Sequence, residues 1–183
     1  MFSARKIMSD RVTAILVALA VGLGACVTQA APGAVSFGGS TLHQLRGGST
    51  GADRFAEYGR RDDKVSETLT VRSISDRTPF KTQVQTLVAS IRKTNPIGKV
   101  SVLPRPGSDD VMISYLGDRG GLHVSLVVWR LAALDERVVA AIYQMDFDID
   151  DKDAKDRVNA LAAERALVTF APADIAKLVA DDK

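Results

Sequence analysis

Residues 122–129 read Leu122-His123-Val124-Ser125-Leu126-Val127-Val128-Trp129, and this octapeptide decides the fold. In an extended chain Leu122, Val124, Leu126 and Val128 fall on one face and His123, Ser125, Val127 and Trp129 on the other. Both faces are largely apolar in the middle, as in a strand covered on two sides, so the segment belongs at the centre of a sheet. Upstream, Val111, Ile113 and Tyr115 alternate until Gly117-Asp118-Arg119-Gly120-Gly121 stops them. Val100 and Val102 do the same ahead of Pro104-Arg105-Pro106-Gly107, and a hairpin is the simplest link between these two strands. Downstream, Asp135-Glu136-Arg137 reads as a turn into a strand whose Val139, Ala141, Tyr143, Met145 and Phe147 share a face. Residues 131–145 also fit a helix, being rich in Ala and Leu. The β-branched pairs and the alternation Met145-Asp146-Phe147-Asp148 favour a strand.

Working outward, Thr68 to Val71 alternate and predict a strand from Val65 to about Ile74. Thr78 is placed as the N-cap of a helix with Pro79 at its first position, and Phe80, Val84, Leu87, Val88 and Ile91 form one apolar stripe. Asn95-Pro96 and Gly98 end it. At the C-terminus, Asp150 or Asp151 caps a helix with Ala154, Val158, Leu161 and Ala162 on one face. Pro172 opens a last one carrying Ile175, Leu178 and Val179. The order β-α-β-β-β-β-α-α predicts an α+β, two-layer sandwich: a mostly antiparallel sheet of about five strands with the helices on one face. Small lipoproteins that serve envelope assembly machines share a similar layer order, an analogy of fold alone.

Ahead of this domain, assigned to 65–183, residues 26–64 lack apolar periodicity and are rich in Gly, Ser, Ala and Arg. They read as a flexible tether. Gly-Gly-Ser-Thr occurs at 38–41 and again at 47–50, too short and too few to be a repeat fold.

The first 25 residues read as a signal peptide. Arg5, Lys6 and Arg11 precede an uncharged apolar run from Val12 to Val27, 16 residues long and shorter than the roughly 20 needed to span a bilayer. Leu23-Gly24-Ala25-Cys26 resembles the lipobox of bacterial lipoproteins, which implies cleavage before Cys26 and a lipid on its sulfur. Each buried methylene would add about 0.8 kcal/mol of membrane affinity. Val27 stands where an aspartate tends to retain such proteins on an inner membrane, so the resemblance implies an outer membrane, with the domain facing the periplasm. The competing reading cuts after Ala30, with Thr28 and Ala30 as the small pair. It discards Cys26 and leaves a periplasmic or secreted protein.

Composition narrows the chemistry. The 183 residues are 46% apolar and 25% charged, with one cysteine and two histidines, which excludes an internal disulfide and any Cys-clustered zinc or iron-sulfur site. The net charge of +2 belongs to the leader. Without Arg5, Lys6, Arg11 and Asp10, 21 basic and 21 acidic residues remain, and nothing points to nucleic acid. Asp146, Asp148, Asp150 and the aspartates after them begin like a calcium loop. Asp151 stands where that loop needs glycine, however, and Arg157 where it needs glutamate. His123 and Ser125 share a strand face but lack a nucleophile elbow.

No catalytic, cofactor or metal residue is therefore assigned. The expectation is a non-catalytic binding or assembly module of the cell envelope, anchored through lipidated Cys26, with His123, Trp129 and Arg130 as its partner surface and an envelope protein as partner. The alternative is an exported hydrolase working near His123.

Overall fold

The structure is a computed structural model that describes residues 33–61, 65–95, 98–120, 122–151 and 160–179. Cys26 and the leader lie outside these residues, as do Ala154 and Val158 of the expected helix. The order read for 65–183 is found: β4 (Val65–Ile74), α1 (Phe80–Thr94), β5 (Val100–Pro104), β6 (Asp110–Gly120), β7 (His123–Leu134), β8 (Arg137–Asp148), α2 (Ala160–Thr169) and α3 (Pro172–Leu178). Before it come β1 (Ala34–Phe37), β2 (Ser40–Thr50) and β3 (Asp53–Arg61). The sheet has eight strands, not about five, in the order β1-β2-β3-β4-β8-β7-β6-β5, with every neighbour antiparallel. Two four-strand meanders are joined where β4 pairs with β8.

The expected tether is thus corrected over residues 34–61. Its glycines make turns instead of slack. Gly38 and Gly39, with φ of +58° and +85°, form the two-residue turn between Phe37 and Ser40, a conformation costly for other residues. Gly59 is needed for space, because a Cβ there would lie 2.7 Å from Leu45 Cδ1 and 3.0 Å from the Glu67 carbonyl. Leu45 itself sits in a bulge, where the β2–β3 register shifts between Gln44 and Arg46.

The helices cover both faces, a second correction. On one face Leu42, Tyr58, Leu69, Val71, Val128 and Val139 pack with Leu167 of α2 and Ile175 of α3. On the other, Ile113, Val127, Trp129, Leu131 and Ala140 pack with Val88 and Ile91 of α1. The cause is the feature noted in 122–129: β7 is apolar on both sides, so one helical layer cannot keep water off it. Leu134 pairs with Arg137 across the two-residue turn Asp135-Glu136, which makes 131–145 strand on either side of a hairpin. At α1 the cap is Pro79, one residue later than expected. The Thr78 N–H is already bonded to Asp76 Oδ1 at 2.8 Å, so the turn closes upstream of Thr78.

Tyr58 is fully buried, and its hydroxyl has no hydrogen-bond partner among the described residues. Burial also raises its pKa. An unmet buried hydroxyl costs about 1–3 kcal/mol, so Tyr58→Phe should leave stability unchanged or raise it by about 1 kcal/mol in a urea melt. A clear loss would mean that the hydroxyl is satisfied.

Candidate functional site

The structure does not bring His123, Trp129 and Arg130 together as a surface. Trp129 is 8% exposed, beneath α1. Arg130 is 2% exposed on the opposite face, where Nη2 lies 2.7 Å from Asp110 Oδ2 and Nε 3.2 Å from Oδ1. Its Nη1 donates to the carbonyls of Leu167 at 3.0 Å, Val168 at 3.2 Å and Phe170, at and just past the end of α2. A cation there satisfies orphan acceptors and complements the helix dipole, so Arg130 is structural. His123 is exposed, with Nδ1 against the Asp148 carboxylate across the β7–β8 pair.

A cleft of about 690 Å³ opens instead on the α1 side of the sheet, beside the end of that helix. Helix α1 shields the β5–β7 half, and among the described residues the β2–β4 half carries no helix on this side. Strand register lays out the floor. One row runs Arg46, Glu57, Thr70, Ile142, Trp129; the next runs Thr68, Gln144, Val127, Tyr115. Arg72 stands between Phe55 and Ala140 in the row on the far side of the first. Thr94 and Asn95 close the helical end, and Asn95 is held there by its Nδ2 bond to the Leu116 carbonyl at 2.6 Å.

Three arginines line the cleft, and two are matched. Arg46 donates to Glu57 Oε2 from Nε at 3.1 Å and from Nη2 at 2.8 Å. Arg119 donates to Ser125 Oγ at 2.8 Å and lies 3.7 Å from Asp146, which also accepts from Ser125 and from Gln144 at 2.9 Å. Arg72 differs. Its Nε is buried with no partner among the described residues, and its cross-strand neighbours Phe55 and Ala140 have no side-chain acceptor. Burial pulls its pKa down, an effect opposed by the charge of Asp53, whose Oδ1 is engaged by the Ser75 N–H at 2.9 Å. Trp129 Nε1 is a second buried donor that makes no hydrogen bond of good geometry among the described residues. It faces Tyr115 closely enough to favour ionisation there, without reaching hydrogen-bond geometry, while burial raises the Tyr115 pKa and Arg119 opposes that rise.

Around His123 the arrangement suits nucleophilic chemistry poorly. Ser125 is 2% exposed and gives its proton to Asp146 instead of the imidazole. Among the described residues no three His, Cys, Asp or Glu side chains converge as a metal site, and no helix is long and apolar enough to cross a membrane. The cleft escaped the sequence reading because Arg46, Arg72, Tyr115 and Trp129 lie on four strands. The one local signal was Arg72, a charge inside an otherwise uncharged β-prone run from Thr68 to Ile74. Compared with known proteins, the chain matches no family model and no curated protein.

Proposed function

We propose that the protein is an exported, lipid-anchored module of the bacterial envelope that binds a ligand or partner without transforming it, and that the α1-side cleft is where it binds. The observation that carries the binding half is the part-buried, unmatched Arg72 on the floor of a concave site of about 690 Å³, within the size range of ligand pockets. The anchor half rests on the basic, apolar leader and on Leu23-Gly24-Ala25-Cys26. Val27 favours the outer membrane, with the domain facing the periplasm and its envelope partners. Hydrolysis near His123 is the second reading, supported by the nearness of the His123 imidazole to the Asp148 carboxylate. It is the weaker one because the Ser125 proton is committed to Asp146.

Native mass spectrometry of washed membranes, extracted in mild detergent, tests both halves. The parent should carry acyl chains on Cys26 and a noncovalent adduct, Thr70→Trp should lose the adduct by filling the cleft, and Cys26→Ser should appear in the wash. Cys26→Ser retained on membranes would overturn the anchor, and an adduct unaffected by Thr70→Trp would overturn the cleft.

A further inference from the structure

We propose that the cleft takes a small organic anion, an acidic head group on an apolar body, with Arg72 as the residue that holds the acid. This inference rests on reading the cleft as a binding site and adds the ligand's chemical class.

The ligand's charge follows from how the cleft's arginines are matched. Each other arginine on the cleft has a carboxylate: Arg46 has Glu57 and Arg119 has Asp146. For Arg72 no ion pair is formed among the described residues, and the acid whose field it feels, Asp53, lies outside ion-pair distance and accepts from the Ser75 amide. A guanidinium stays protonated at any physiological pH, so it cannot escape partial burial by losing its charge. A bound acid offers it the planar, two-point partner that the fold withholds.

The rest of the wall suits an organic body. Phe55, Val127, Ile142 and the ring of Trp129 give apolar surface next to Thr68, Thr70 and Gln144. An inorganic ion would leave that surface, and most of about 690 Å³, unused. The indole N–H of Trp129, whose backbone is two strands across and two residues along from Arg72 and so about 12 Å away, is a second donor for which an acceptor on the ligand's body is wanted.

Trp129 is the chain's only tryptophan and therefore a reporter inside the site. The chain expressed without residues 1–26 keeps every described residue. It is titrated with 8-anilinonaphthalene-1-sulfonate and, separately, with N-phenyl-1-naphthylamine, which has the same rings and no acid. The sulfonate should bind more tightly and quench Trp129 by energy transfer. Arg72→Gln should weaken it about tenfold or more and leave the neutral dye unchanged, and Arg72→Lys, which keeps the charge and loses the two-point fork, should fall between the parent and Arg72→Gln. Equal binding of the two dyes, or indifference of the sulfonate to Arg72→Gln, would overturn the anion assignment and leave the binding cleft standing. Silence of Trp129 toward both dyes would overturn the cleft as well.

Discussion

A chain that begins at Val65 should show no cooperative thermal transition, although 65–183 contains every element that local periodicity predicts. Removing the residues before Val65 strips β3 from β4, a pairing that runs from Arg54–Ser73 to Arg61–Ser66, and leaves the β4 edge with unpaired N–H and C=O groups. It also takes Phe37, Leu42, Ala56 and Tyr58 out of the core under α2 and α3. Phe37 alone packs against Tyr143 at 4.9 Å and Phe170 at 5.7 Å between ring centroids. Burying a large apolar side chain contributes about 1.5–3 kcal/mol, so three of them supply roughly 5–9 kcal/mol, as much as a typical domain's entire stability. Far-ultraviolet circular dichroism against temperature should give a broad, shallow melt for 65–183 and a sharp one for the longer chain. A sharp melt at an unchanged temperature would make the three N-terminal strands an appendage.

Asp110→Ala should be the most damaging single substitution, costing about 3–5 kcal/mol in urea denaturation. Asp110 and Arg130 are 6% and 2% exposed, and the pair is held at two points. Deleting the carboxylate leaves a guanidinium in the interior with only carbonyls to face. Arg130 also ties β7 to the end of α2, so its displacement loosens the layer over Leu167. The contrast is Arg105, which bonds the same Asp110 Oδ2 at 3.0 Å from a side chain 44% exposed. Arg105→Ala should cost less than about 1 kcal/mol, because the arginine end of that pair is in water and Asp110 keeps Arg130. If both variants lose the same small amount, the interior pair is hydrated and Arg130 is not the clamp described here.

These two results bear on different kinds of legibility. The elements from Val65 to Leu178 could be read because each announces itself within a dozen residues. The α1 stripe from Phe80 to Ile91, the alternation of Val139 to Phe147, and Pro172 ahead of Ile175 are periodicities of one segment. β2 has no such signature. Of its residues from Ser40 to Thr50 only Leu42 is buried, so its stability comes from hydrogen bonding to β1 and β3 and from turns that look, in sequence, like slack. Arg130 misled for the opposite reason. A charged residue in an apolar strand reads as surface, and its true partners, Asp110 and the end of α2, lie 20 to 40 positions away.

The basic residues ahead of an apolar run, the lipobox-like Leu23-Gly24-Ala25-Cys26 and the two-sided apolar pattern of 122–129 are legible in the sequence alone, since each is a property of consecutive residues. Only the tertiary structure decides that the helices take opposite faces, that 34–61 is sheet, and that Arg46, Arg72, Tyr115 and Trp129 surround one cleft. Register between strands is set by pairing across the whole sheet, and pairing brings together residues that no local pattern connects.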